Sequence, residues 1–171
     1  DIPRERLKLV AADLNQPADA DKLWREALAW RGRIDVLVNN AAVMRLKGGI
    51  GDDDETWDAV WDEALRVNVL SPARLMRDAV RHYLDTGGGS IITISSWAAQ
   101  RGPGNPALIA YAASKGAILS ATKAIARNYA KNNILAYMVT PGVVRTRLSV
   151  DAAAAAGGEA AVTAGLAMGE W

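Results

Sequence analysis

The segment Ile34-Asp35-Val36-Leu37-Val38-Asn39-Asn40 reads as a β-strand with apolar residues on both faces, the pattern of a parallel sheet covered by helices. Upstream, Asp19 to Arg31 places Ala20, Leu23, Trp24, Ala27 and Leu28 at helical spacing, and Gly32 stops the helix. Downstream, a Gly- and Asp-rich loop from Ala41 to Asp54 leads into a helix from about Glu55 to Leu84, broken at Gly87-Gly88-Gly89. Leu7–Asp13, Ser90–Ser96 and Ile134–Thr140 read as further short strands. Between the last two, an Ala-rich helix runs to about Lys131. Strands alternating with helices predict βαβ units and hence an α/β fold with a doubly wound parallel sheet.

The chain has 171 residues, 50% of them apolar, enough for one domain with a real core. Twenty basic and nineteen acidic residues leave a net charge of +1, with no block of one sign. A nucleic-acid partner and a membrane-attracting patch are therefore not expected. With no cysteine there is no disulfide and no thiolate metal site, and His82, the only histidine, cannot build a metal site alone. It reads as a solvated residue near a helix end. No apolar run has membrane-spanning length, and Asp1-Ile2-Pro3-Arg4 does not open a signal peptide. The expectation is a cytoplasmic protein with no metal. Residues 1–150 read as the folded unit, and 151–171, rich in Ala and Gly, as a mobile tail or partial substrate lid.

In doubly wound sheets, ligands bind beyond the carboxyl ends of the strands. Asp13, Asn39-Asn40-Ala41-Ala42, Ser95-Ser96 and Pro141-Gly142 fall at those ends, and Ala41, Ala42 and Gly142 are small enough to let a flat ligand approach the backbone. Tyr111 and Lys115 lie one helical turn apart. A cation there would favour phenolate and pull the tyrosine below its usual pKa of about 10, so that it could exchange a proton with an alcohol or carbonyl oxygen. Asn68 sits on the apolar stripe of its helix, and Pro72 has no amide hydrogen to give its carbonyl. A kink there either frees that carbonyl for a ligand such as water or is a packing kink.

Asn39-Asn40-Ala41-Ala42, Asn68, Ile94-Ser95-Ser96, Tyr111-x-x-x-Lys115 and Pro141-Gly142-x-x-x-Thr146 together resemble the short-chain dehydrogenase/reductase family, from about Leu7 to Leu148. The resemblance implies a Rossmann-like three-layer αβα fold, NAD or NADP as cofactor, and hydride transfer to or from a small-molecule alcohol or ketone. It implies Tyr111 as general acid/base, Lys115 lowering its pKa and holding the nicotinamide ribose, and Asn68 holding a relay water. Ser96, rather than Ser95, would hydrogen-bond the substrate oxygen. Asp13 would contact the adenine amino group, Asn40, Ala41 and Ala42 the adenine ribose, and Pro141, Gly142, Val144 and Thr146 the nicotinamide side. Trp97 would wall a substrate pocket or merely pack. The family's helices also suggest a homo-oligomer, dimer or tetramer, at full length.

Two features depart from the family pattern. Against the pattern the resemblance implies, Ser96 and Tyr111 are two residues further apart than usual, with Gly102–Pro106 as the insertion. The family's N-terminal glycine-rich strand-turn-helix and C-terminal strand have no counterpart, and Gly48, Gly49 and Gly51 do not replace the glycine-rich turn. The chain thus reads as an internal segment with an incomplete sheet, weak or inactive by itself. Leu7–Asp13 is expected two places from Ile34–Asn40 or moved beside it, with the Ile34–Asn40 edge bare. The alternative function is a non-catalytic Rossmann-like binding or assembly module.

Overall fold

The computed structural model describes residues 2–155, 157–166, 169 and 170. Three strands, β1 (Val36–Asn39), β2 (Gly89–Ile94) and β3 (Ile134–Val139), form a parallel sheet in that order. Leu37 stands opposite Ile91 and Ile91 opposite Ala136, so the three carboxyl ends open on one edge. Helices α1 (Pro17–Arg31), α2 (Asp54–Leu65) and α3 (Ser71–Thr86) flank β1, and α4 (Ala98–Arg101) and α5 (Ile109–Tyr129) join β2 to β3. Two short helices follow, α6 (Arg147–Ala155) and α7 (Glu159–Ala164).

The parallel α/β arrangement follows the sequence pattern, but the first expected strand is absent. Leu7–Asp13 pairs with no strand, and Leu9 is 81% exposed. It takes neither expected place in the sheet: among the described residues the place two removed from β1 has no strand between to pair with, and the free edge of β1 stays unpaired. Instead it is held by scattered contacts, the Ala11 carbonyl accepting from Lys22 Nζ at 3.5 Å and the Asp13 amide donating to Asp19 Oδ2 at 2.8 Å. Arg31 holds the Glu5 carbonyl before it and Ser71 the Leu14 carbonyl after it.

Helices α3 and α5 both pack on one face of the sheet, with α1 stacked on α3. Ile91, Ile118, Ile134, Met76, Ala79 and Tyr83 are buried between them. Tyr83 lies flat under the start of β2. A Cβ at Gly89 would come within 2.5 Å of its ring, which is why a glycine opens that strand. Among the described residues no helix covers the other face. Val36 and Val38 of β1 are 51% and 53% exposed, and Leu135, Tyr137 and Val139 of β3, across β2, are about half exposed. Of the three expected layers two are present, so strands patterned for cover on both faces receive it on one.

The helix expected from Glu55 to Leu84 is interrupted by a π turn, Arg66–Leu70, where the Ser71 amide reaches back to the Arg66 carbonyl. Pro72, lacking an N–H, sits just beyond and disfavours the ordinary ladder. His82 is not the solvated residue expected. Its Nε2 accepts from the Ile34 amide at 3.2 Å, with Trp24 edge-on to the ring at 5.9 Å. Within 151–171, α6 and α7 fold where the composition offered little to pack, and Ala153 is buried. Residues 156, 167, 168 and 171 of that stretch lie outside the described residues.

The two faces of the sheet are expected to respond differently to truncation. Ile91→Ala should cost about 2–5 kcal/mol of stability and Val38→Ala less than about 1 kcal/mol, measured by urea unfolding. Equal costs would place a cover on the open face.

Candidate active site

The sheet's ladder continues past β2: the Ser95 amide donates to the Val139 carbonyl and the Trp97 amide to the Pro141 carbonyl. This carries Ser95 and Ser96 out on a fixed path between β3 and the start of α5. The two serines then divide the work. Ser95 Oγ donates to the Lys115 carbonyl at 2.9 Å, pinning α5 to the strand end. Ser96 Oγ accepts from the Ala98 amide at 3.2 Å and faces the Tyr111 phenol across the cavity wall.

On α5, Tyr111, Ser114 and Lys115 face this strand end. Ser114 and Lys115 are buried and Tyr111 is half-buried. Lys115 Nζ donates to the Ile94 carbonyl at 2.8 Å and stands 5.9 Å from the centre of the Tyr111 ring. Burial pulls the Lys115 ammonium down to about 8. Burial also pushes the Tyr111 phenol above its usual value, against the smaller opposing effect of the Ser96 hydroxyl. The expected lowering of Tyr111 by Lys115 is therefore not found in this arrangement. The ammonium is held by a backbone carbonyl, and desolvation dominates.

Asn68, 2% exposed, lies in the π turn beneath α5. Its side chain accepts from the Val43 amide at 2.8 Å and donates to the Val43 carbonyl at 2.9 Å and to Ser114 Oγ at 3.0 Å. Ser114 Oγ in turn donates to the Tyr111 carbonyl. One amide thus ties the loop after β1 to the helix that carries Tyr111. That loop is braced twice more. Asp52 Oδ2 accepts from the Gly48 and Gly49 amides, and Arg45 makes a two-pronged pair with Glu63 of α2. Gly48, at φ +81°, lies so close to Val60 that a Cβ would clash at 2.8 Å.

The structure brings Asn68, Ser96, Tyr111 and Lys115 into one connected cluster, with Pro141 and Gly142 alongside. Asn40 and Ala41 are exposed and Ala42 half-buried at the end of β1. Val144 and Thr146 lie in the exposed turn that starts α6, where the Thr146 carbonyl accepts from the Ser149 and Val150 amides. Asp13 does not end a strand. Its carboxylate caps a local turn by accepting from the Asn15 amide. Ser95, set aside in favour of Ser96 for the substrate oxygen, takes a structural role instead. The residues not foreseen are Ser114, Val43, Arg45, Asp52 and Glu63, of which Ser114 carried a signal, being three residues after Tyr111 on the same helical face.

Asn39 is 91% shielded at the tip of β1, and its Nδ2 has no partner. An orphaned buried donor at a carboxyl strand end fits a polar ligand lying across that edge. Gly142 fits as well, since a Cβ there would meet no atom within 4 Å. A cavity of about 210 Å³ opens against Ser96 and Tyr111, bounded by Trp97, Gly142, the loop after β1, and α6 and α7. Among the described residues no group of acidic or histidine side chains could hold a metal ion, and no helix is long and apolar enough to cross a membrane.

Comparison with known proteins gives consistent matches. The family model described as short chain dehydrogenase matches residues 2–156. The chain is 37% identical over 131 residues to human dehydrogenase/reductase SDR family member 4, covering 77% of this chain and 45% of that protein. It thus spans about half the length of the curated relatives it matches. Among solved structures, a 3-ketoacyl-(acyl-carrier-protein) reductase from Brucella melitensis complexed with NADH is 30% identical, with a TM-score of 0.72. That match covers 82% of this chain and 57% of the other. ElxO with NADPH bound, 22% identical, shares the fold at a TM-score of 0.82 over 97% of this chain and 65% of its own.

The burial of Lys115 generates a pH-dependent prediction. Folding lowers its pKa from 10.5 to about 8, so the unfolded chain binds more protons between those values. The resulting penalty is fully present below about pH 8 and fades as pH rises towards the unfolded value. Lys115→Met is expected to raise stability by about 1–3 kcal/mol near pH 7, with the gain shrinking towards pH 10. Denaturant unfolding at the two pH values measures this, and an equal gain at both would contradict it.

Proposed function

This chain belongs to the short-chain dehydrogenase family, and on that premise we propose that the protein it forms is an NAD(P)-dependent oxidoreductase. It would transfer a hydride between a nicotinamide and a small secondary alcohol or ketone. The observation that carries this reading is the cavity against Ser96 and Tyr111, with Lys115 and Asn68 buried directly behind them. A cluster kept only for packing has no need of a phenol and a hydroxyl converging on an accessible cavity.

The bound cofactor supplies or accepts the hydride; the side chains handle the proton and the oxygen. Ser96 Oγ hydrogen-bonds the substrate oxygen and polarises it. The Tyr111 phenol gives its proton to that oxygen during reduction and takes it back during oxidation. A phenol held above its usual pKa by burial keeps that proton until a charge develops nearby. Lys115, with its pKa near 8, supplies the compensating positive charge and would hold the nicotinamide ribose. Asn68 fixes the helix at Tyr111 through Ser114, and its backbone carbonyl is the proposed site of a relay water. Asn40, Ala41, Ala42, Pro141, Gly142, Val144 and Thr146 would line the dinucleotide along the strand ends, with Asp13 at the adenine end.

Residues 1–150 serve as a partial dinucleotide-binding unit in this reading, and 151–171 as a partial lid, which the placement of Ala152, Ala153 and Val162 on the cavity supports. A cytoplasmic homo-oligomer assembled through α2–α3 and α5 rests on the family resemblance and on exposed Leu65 and Leu70. The isolated chain should bind dinucleotide poorly. It carries no glycine-rich phosphate turn, and the Gly48 and Gly49 amides are already taken by Asp52.

Two measurements test this. In the full-length protein, Tyr111→Phe should reduce turnover by about 100- to 10,000-fold while cofactor binding is retained. Undiminished turnover would remove Tyr111 from its role. Isothermal titration of the 171-residue chain should give no micromolar NAD(P)H binding, and such binding would contradict its proposed weakness.

A further inference from the structure

The cavity beside Tyr111 is polar at one end only. Ser96 and Tyr111 form that end, while Met44, Leu46, Trp97, Leu108, Leu148 and Val162 supply apolar walls. Among the described residues none of those lining it is charged. The two remaining polar side chains on its wall are partly engaged. Asn105 Oδ1 accepts from the Ala107 amide while its Nδ2 makes no bond among the described residues, and Ser149 Oγ pairs with Thr146 Oγ1 at 3.3 Å. Beyond the wall, Arg145 pairs with Glu159 at 3.0 Å, at the start of α7.

We infer that this cavity takes an uncharged carbonyl compound or secondary alcohol with a single polar function and an apolar body, an assignment that rests on the oxidoreductase reading above. With its oxygen at Ser96 and Tyr111, the rest of such a molecule meets mainly apolar side chains and the Trp97 ring. A distal carboxylate or phosphate would lose its water with no lining cation to replace it. The hydroxyls of a polyol would outnumber the few side-chain groups left to meet them, Asn105 Nδ2 among them, which disfavours sugars. The cavity has room for a substituted ring, since an apolar cavity of about 150 Å³ holds benzene and this one measures about 210 Å³. The walls come from four separate places: the braced loop after β1, the segment 97–108, Gly142 and Val143 after β3, and α6–α7. Selectivity is thus built by elements outside the proton-transferring cluster.

Three cyclohexanones that differ only at the ring carbon opposite the carbonyl, carrying methyl, hydroxyl or carboxylate, provide the test. Binding to the full-length protein is measured by isothermal titration with and without reduced dinucleotide, and turnover is followed separately. The methyl ring is expected to bind about 100-fold tighter than the carboxylate ring and about 10-fold tighter than the hydroxyl ring. Leu148, 41% exposed on the rim, tolerates a polar replacement. Leu148→Arg should recover at least about 10-fold of the carboxylate ring's disadvantage. Equal or tighter binding of the carboxylate or hydroxyl ring, or no binding of any of the three, would overturn the assignment. Preferential binding of the methyl ring without turnover would uphold it and count instead against the oxidoreductase reading.

Discussion

The site depends on a reciprocal pair of hydrogen bonds between the end of β2 and the second turn of α5. Lys115 Nζ donates to the Ile94 carbonyl, and one residue on, Ser95 Oγ donates back to the Lys115 carbonyl. Strand and helix are thereby locked at a fixed distance and rotation. Ser96, the next residue, then meets Tyr111, one turn before Lys115. The lock puts a cation in the interior, and burial pulls its pKa down to about 8. Such a burial costs stability, and the single carbonyl that meets the ammonium offsets only part of that cost.

A second tether secures the far side. Asn68 reaches the Val43 backbone and Ser114 from a π turn, a geometry that Pro72 promotes by offering no amide hydrogen. Between the two tethers, the N-terminal end of α5 is fixed against both the sheet and the loop after β1. The cavity forms where these three elements fail to close completely, and α6 and α7 cover the remaining side.

Much of this was legible in the sequence because it was encoded locally. Strand and helix periodicity gave β1, β2, β3, α1 and α5 nearly to their ends. The asparagine on an apolar stripe, followed by a proline, pointed to the irregular turn at 66–70. What escaped was set by partners distant in the chain. Leu7–Asp13 has the composition of a strand, yet a strand needs a neighbour, and no local pattern reveals whether one is present. The apolar residues of β1 and β3 likewise suggested cover on both faces, and only packing shows that one face is bare. The rise of the Tyr111 pKa was hidden for a similar reason: spacing shows that Lys115 is near, but not that its ammonium is held by Ile94. Ser95 and Ser96 could be told apart in role only once α5 was in place.

The central claim is that Tyr111 and Lys115 form one proton-transferring unit. Nuclear magnetic resonance titration of isotopically labelled tyrosine in the full-length protein tests it most directly. Without cofactor the Tyr111 phenol should titrate above its usual value of about 10, and the positively charged nicotinamide of oxidised dinucleotide should move it down. A Tyr111 that titrates at or below that value when free, and is indifferent to dinucleotide, would contradict the account.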